Sequence, residues 1–198
     1  DRLIVLSSYN PWSINSEDDL YEYLRWGGEY SQWRVNSLTK YTTFDISNRS
    51  SPEIIQELYL EGYNVDAREI DGSVRAITHS WLNIPGLSNW LNMPSAYYDL
   101  EWDDPERKTY REMIAYETIQ ANDKVLEAIA LEDLVPKIYQ RVDGEIIEHD
   151  MRSESCENFA QPMDGFSRGF TNILSLDLFS PRFVFESDHL LSNHPLVY

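Results

Sequence analysis

The chain has 198 residues, of which 42% are hydrophobic and 25% charged. That is an ordinary globular composition long enough to bury a core without disulfide or metal staples, and it excludes a chain disordered throughout. Asp and Glu number 34 against 16 Lys and Arg, a net charge of -18, which disfavours direct binding to nucleic acid phosphates or anionic membranes and favours basic partners or cations.

The first elements read clearly. Leu3 to Ser8 is an apolar strand pattern, closed by the turn residues Asn10-Pro11. Ser16 has the character of a helix cap, with Glu17, Asp18 and Asp19 where the helix dipole favours negative charge. Leu20, Tyr23 and Leu24 supply one apolar face, and Gly27-Gly28 a stop. Trp33 to Ile46 carries the Thr, Tyr, Val and Phe of a strand. Ser50-Ser51-Pro52-Glu53 predicts a helix start, with Ile54, Ile55, Leu58 and Tyr59 on its buried side and Gly62 ending it. Tyr63–Ile70 and Ser73–Leu82 flank Asp71-Gly72, the signature of a hairpin.

Pro85 to Pro94 predicts at most a short helix carrying Leu87, Trp90 and Leu91. Tyr97 to Trp102 reads as a strand. Asp104 and Pro105 open a long helical pattern through Tyr110, Met113, Ile114, Ala121, Val125 and Ile129, with a break expected near Asn122-Asp123 and an end at Pro136. A second hairpin surrounds Asp143-Gly144. Residues 150–168 read as a long loop, Phe170 to Leu178 and Arg182 to Phe185 as strands. The expected architecture is α+β: a single domain over 1–185, with a mixed or antiparallel sheet rich in hairpins packed by three to four helices, and a C-terminal arm or tail over 186–198.

Several chemistries lack their motifs. There is no glycine-rich phosphate loop, dinucleotide fingerprint, paired metalloprotease histidines or nucleophile elbow. A single cysteine, Cys156, forms no intramolecular disulfide and no thiolate zinc cluster, and points to a reducing compartment. No apolar run approaches membrane-spanning length, and no signal peptide is evident. The expected location is therefore the cytoplasm or a soluble assembly, a virion among them.

Two acidic clusters could carry chemistry. On a strand over 97–102, period-two geometry would put Asp99, Glu101 and Asp103 on one side, oxygen ligands for a divalent cation. The calcium-loop pattern fails there, and a solvated turn in which Asp104 caps the next helix explains the same residues. His149 beside Glu148 and Asp150 suits a general base, or the plain end of a strand. His189 and His194 lack an identifiable third ligand, and His79 reads as a hydrogen-bonded core histidine. No cofactor is expected.

The aromatic load of 13 Tyr and 6 Trp is the other constellation. Trp12, Trp26 and Tyr30 lie beside turn residues, Trp102 stands near Trp90, Tyr97 and Tyr98, and Phe166 and Arg168 sit in a glycine-containing loop. Tyr, Trp and Arg are enriched at protein interfaces and Lys depleted, although aromatics also fill cores. These six residues are the candidate anchors for a protein partner or a homo-oligomer. The expected function is a non-enzymatic interaction or assembly subunit, for instance a structural component of a viral particle or another multi-subunit complex. An acidic inhibitor imitating nucleic acid and a metal-assisted hydrolase using dispersed carboxylates and histidine are the alternatives.

Overall fold

The structure, a computed structural model, describes residues 1–26, 32–153, 156–163, 167–178 and 183–194. The chain divides into two compact units, one of Asp1–Asn83 with Val135–Tyr198 and one of Ile84–Leu134.

The first unit is built from strands β1 (Arg2–Tyr9), β2 (Leu38–Asp45), β3 (Glu53–Glu61), β4 (Tyr63–Ile70), β5 (Ser73–Trp81), β6 (Lys137–Val142), β7 (Glu145–Asp150), β8 (Phe159–Ala160), β9 (Gly169–Asp177) and β10 (Val184–Ser192). They form two five-stranded sheets, ordered β1-β2-β3-β6-β7 and β4-β5-β9-β10-β8. Every described pairing is antiparallel except the short β8–β10 contact. Within the second sheet, β4, β5, β9 and β10 neighbour one another in chain order, a four-stranded up-and-down meander. In the first sheet β1, β2 and β3 form a three-stranded meander of the same kind.

Inner faces of the two sheets share one core, in which Tyr41, Leu58, Leu60 and Ile138 meet Val74, Ala76, Leu174 and Leu176. On the outer face of the first sheet, Ile14, Leu20, Leu24 and Val35 pack on Leu38, Tyr59 and Tyr139. Leu20 opens helix α1 (Leu20–Tyr23), a single turn whose first amide is held by the Asp18 carboxylate at 2.9 Å.

Expectation and structure part at β3. The helix predicted over 53–61 is a strand, and its capping cluster is a hairpin turn in which Asn48 accepts the amides of Ser50 and Ser51. Leu58 and Leu60 fill the inter-sheet core while Tyr59 faces the outer one. A strand buried on both faces reads as an unbroken apolar run, which imitates helical spacing over so few residues. Gly62 is needed beyond it for another reason. Its φ is +108°, and a Cβ there would stand 2.5 Å from the His79 carbonyl oxygen.

Both Asp-Gly turns form as expected, with φ of 52° and 85° at Asp71-Gly72 and of 52° and 86° at Asp143-Gly144. The paired positive φ values are those of a two-residue type I′ hairpin. Residues 186–192, expected as an arm, continue β10 and pair with β9. Within the expected loop 150–168, Asn158 donates to the Met151 carbonyl at 2.7 Å and the Ser187 carbonyl at 3.0 Å, seating the short strand β8.

The second unit is helical where it is regular: α2 (Ser95–Tyr98), α3 (Glu106–Ala128) and α4 (Leu131–Leu134). Tyr97 to Trp102 is therefore not a strand but the end of α2 and the turns after it. No short helix forms between Pro85 and Pro94. Asp104 accepts the Glu106 amide at 2.8 Å and so caps α3. Helix α3 runs through Asn122-Asp123 without a break. Asn122 instead anchors the preceding loop, accepting the Ser88 amide and donating to the Ser88 carbonyl, both at 2.9 Å. The α+β expectation thus holds as two mostly antiparallel sheets with a few helices, three of them single turns, and the described chain is mostly strand.

Candidate functional site

The expected anchors do not gather in the first unit. Trp12 stands exposed in the turn after β1, while Trp26 is half-buried with its ring 5.1 Å from the Arg34 guanidinium. Arg168 is exposed beside Trp81, Asn193 and His194; its amide is held by the Asn193 side chain at 3.0 Å. No ring or hydrogen-bond contact joins Trp12, Trp26 and Arg168 to one another among the described residues. Tyr30 and Phe166 lie outside the described residues.

The carboxylates of the metal expectation do not converge either. Asp99 closes α2, Glu101 and Asp103 lie in the exposed turns after it, and the period-two argument for one shared side falls with the strand it assumed. Among the described residues no three His, Cys, Asp or Glu side chains could hold a metal ion.

His149 sits with its Nε2 3.1 Å from the Gln140 side-chain oxygen and its ring edge-on to Phe183 and Phe185. Burial lowers its pKa, so the packing favours a neutral ring. His79 is buried, as a core histidine would be, with Nδ1 3.3 Å from the Thr171 hydroxyl. His189 is buried between Asn172, Ser187 and the Met151 carbonyl, and stacks on Phe159.

One polar cluster in the first unit was not foreseen. The buried Glu61 carboxylate accepts from Arg34 Nε at 2.8 Å, from the Tyr139 hydroxyl at 2.7 Å and from the Lys137 amide at 3.2 Å, while Arg34 also donates to the Val135 carbonyl at 2.7 Å. Burial acts to lower the Arg34 pKa, but Glu61, Tyr139 and Glu148 together raise it on balance. Burial, then Glu61, raises the Tyr139 phenol. The two charges are paired and hydrogen-bonded within the cluster, which ties Arg34 and the start of β6 to the end of β3.

Exposed apolar surface concentrates in the second unit. Trp102 is 87% exposed and Trp90 73%, and Tyr98 is exposed as well. The Arg107 guanidinium lies 4.6 Å from the Tyr97 ring centre and 5.4 Å from that of Trp102, and donates to the Tyr97 carbonyl at 3.3 Å. That contact holds the aromatic turn against the start of α3.

Helix α3 carries apolar residues on two sides, interspersed on the exposed side with Glu112, Asp123 and Glu127. Tyr110, Ile114, Val125 and Ile129 recur on a half-buried face. At 100° per residue, Met113, Tyr116, Ile119 and Leu126 fall on a separate arc, and all four are exposed. Tyr116, Ile119 and Leu126 lie outside the stripe expected from sequence, whereas Met113, expected within it, is exposed. Around them, residues 84–134 hold eleven acidic side chains against four basic.

No helix among the described residues is long and apolar enough to cross a membrane. No curated protein and no solved structure matches the chain. A family model described as a beta propeller domain matches residues 1–198. A propeller blade is a four-stranded sheet, and the β4-β5-β9-β10 meander has that form, with residues 82–168 inserted between its second and third strands. With its whole length covered by that family, the chain belongs to the beta propeller domain proteins.

Proposed function

We propose that the chain is a protein-interaction scaffold whose docking surface is the exposed aromatic and acidic face of residues 84–134, and that its partner is a protein with a basic surface bearing apolar side chains. One observation carries the reading: the exposed arc of Met113, Tyr116, Ile119 and Leu126 on a helix whose other face the unit already half-covers. Apolar side chains of this size left open to water carry a cost that a partner removes. Trp102 and Tyr98 extend the surface with side chains of the kind that dominate interface energetics. Opposite charge fits better than a second copy, since two chains each carrying -18 repel. Membership of a defined multi-subunit assembly, a viral particle included, is the narrower form of this reading, and a fixed stoichiometry distinguishes it.

The test pairs gel filtration with light scattering, on the chain alone and with the material it retains from its natural source, against a Tyr116→Glu, Ile119→Glu double variant. The expected result is a stoichiometric complex that weakens as salt is raised and is lost in the variant, with helicity unchanged. Undiminished binding by the variant overturns the assignment of the surface.

A further inference from the structure

We propose that the outer face of the second sheet docks an amphipathic helix of a partner protein, one whose apolar stripe is flanked by acidic side chains on one side and basic side chains on the other. Side chains alternate between the two faces of a strand, so every second residue of β4, β5, β9 and β10 points away from the inter-sheet core. On this outer face Arg68 and Arg75 stand opposite each other on β4 and β5, Ile77 and Ile173 pair on β5 and β9, and Glu186 and Asp188 lie on β10. All six line one open groove.

Its floor is apolar and open to water. Ile173 is exposed although β9 is flanked by β5 on one side and β10 on the other, and Ile70 and Val184 are exposed at one end of the same face. Its walls carry opposite charges. Like charges directly opposite on a sheet repel. Arg68 has Asp66 beside it at 3.2 Å, but among the described residues Arg75 has no ion-pair partner. Glu186 shares its cross-strand row, by way of Ser175, and has none either. Two strand spacings, about 10 Å, lie between the two backbones. An unpaired cation and an unpaired anion therefore stand on either side of an apolar floor.

The sheet itself selects a helix as the occupant. Strands β5 and β9 are hydrogen-bonded on both sides, so this face offers side chains and no main-chain groups. An extended segment laid across it would leave its own donors and acceptors unpaired, whereas a helix satisfies them internally. A helix with its side chains is about 10–12 Å wide, which matches the gap between the charged walls. From Asp66 to Ile70 the groove runs about 13 Å, roughly two and a half helical turns. An apolar stripe then rests on Ile77 and Ile173, with carboxylates over Arg68 and Arg75 and cations over Glu186 and Asp188. A second copy fits less well, since two chains of charge -18 repel. The site uses other residues than the α3 surface, so either stands without the other.

The probe is a fluorescein-labelled, ~15-residue helical peptide with a leucine stripe, glutamate along one flank and lysine along the other, titrated into the chain by anisotropy. Saturable one-to-one binding that weakens as salt is raised is expected. Affinity should fall about tenfold or more in Arg75→Glu and in Ile173→Glu, each with unchanged far-ultraviolet circular dichroism, and should hold in the Tyr116→Glu, Ile119→Glu double variant. A peptide with glutamate on both flanks should bind about tenfold or more weakly as well. Absence of binding, equal binding by Arg75→Glu or by the all-glutamate peptide, or loss of binding in the α3 variant overturns the proposal. So does self-association of the chain that Ile173→Glu abolishes, which would make a second copy the occupant.

Discussion

Replacing Tyr41 by Phe removes a hydroxyl that is buried in the inter-sheet core with no hydrogen-bond partner among the described residues. An unsatisfied buried hydroxyl costs about 1–3 kcal/mol, whereas a shape-conserving apolar replacement is close to neutral in packing. The ring of Tyr41 is 1% exposed, so the phenyl group keeps its contacts and only the oxygen is lost. The expected result is a gain of about 1 kcal/mol, raising Tm by about 2–4 °C in a chain of this size. Tyr139→Phe is the internal control, because its hydroxyl donates to the buried Glu61 carboxylate at 2.7 Å. A hydrogen bond to a charged group contributes about 1.5–3 kcal/mol, so that variant should lose stability by about as much. Urea denaturation followed by far-ultraviolet circular dichroism reads both, with the slope unchanged if only the native contact differs. The reasoning is refuted if Tyr41→Phe is destabilised by about 1 kcal/mol or more, or if the two variants shift in the same direction.

Two further outcomes follow from buried charge and from histidine. Glu61→Ala leaves the Arg34 guanidinium buried without its carboxylate, and should cost about 3–5 kcal/mol in the same denaturation assay; a loss under 1 kcal/mol would show that water reaches the site. For His189, burial lowers the pKa to about 4 from its ordinary 6.5. Between those values the unfolded chain binds more protons than the folded one, so this contribution is complete above about pH 6.5 and is lost as pH falls toward 4. Its full size is on the order of 3 kcal/mol, and His79 and His149, lowered first by burial, act in the same direction. Urea midpoints across that window should fall for the native chain and flatten for His189→Asn; parallel curves would reject the assignment.

The sequence by itself determined whatever is decided within a few neighbouring residues. Asp71-Gly72 and Asp143-Gly144 announce their hairpins because a type I′ turn needs two positive φ values and those residues tolerate them. Asp104, Pro105 and more than six turns of apolar spacing announce α3. Composition gave the acidic surface. Pairing across the chain was hidden, and it alone made β3 a strand: Glu53–Glu61 is hydrogen-bonded to β2 and to β6, some eighty residues later in sequence. For the same reason 186–192 is a strand, held by β9, although its own residues signal no regular element. The candidate surfaces divide likewise. Trp102 could be picked out as an exposed ring beside a turn, but the exposed arc of α3 is defined by which of its faces the rest of the fold leaves uncovered. Local turn chemistry is written in adjacent side chains, whereas burial and strand pairing depend on partners that only the tertiary structure brings within reach.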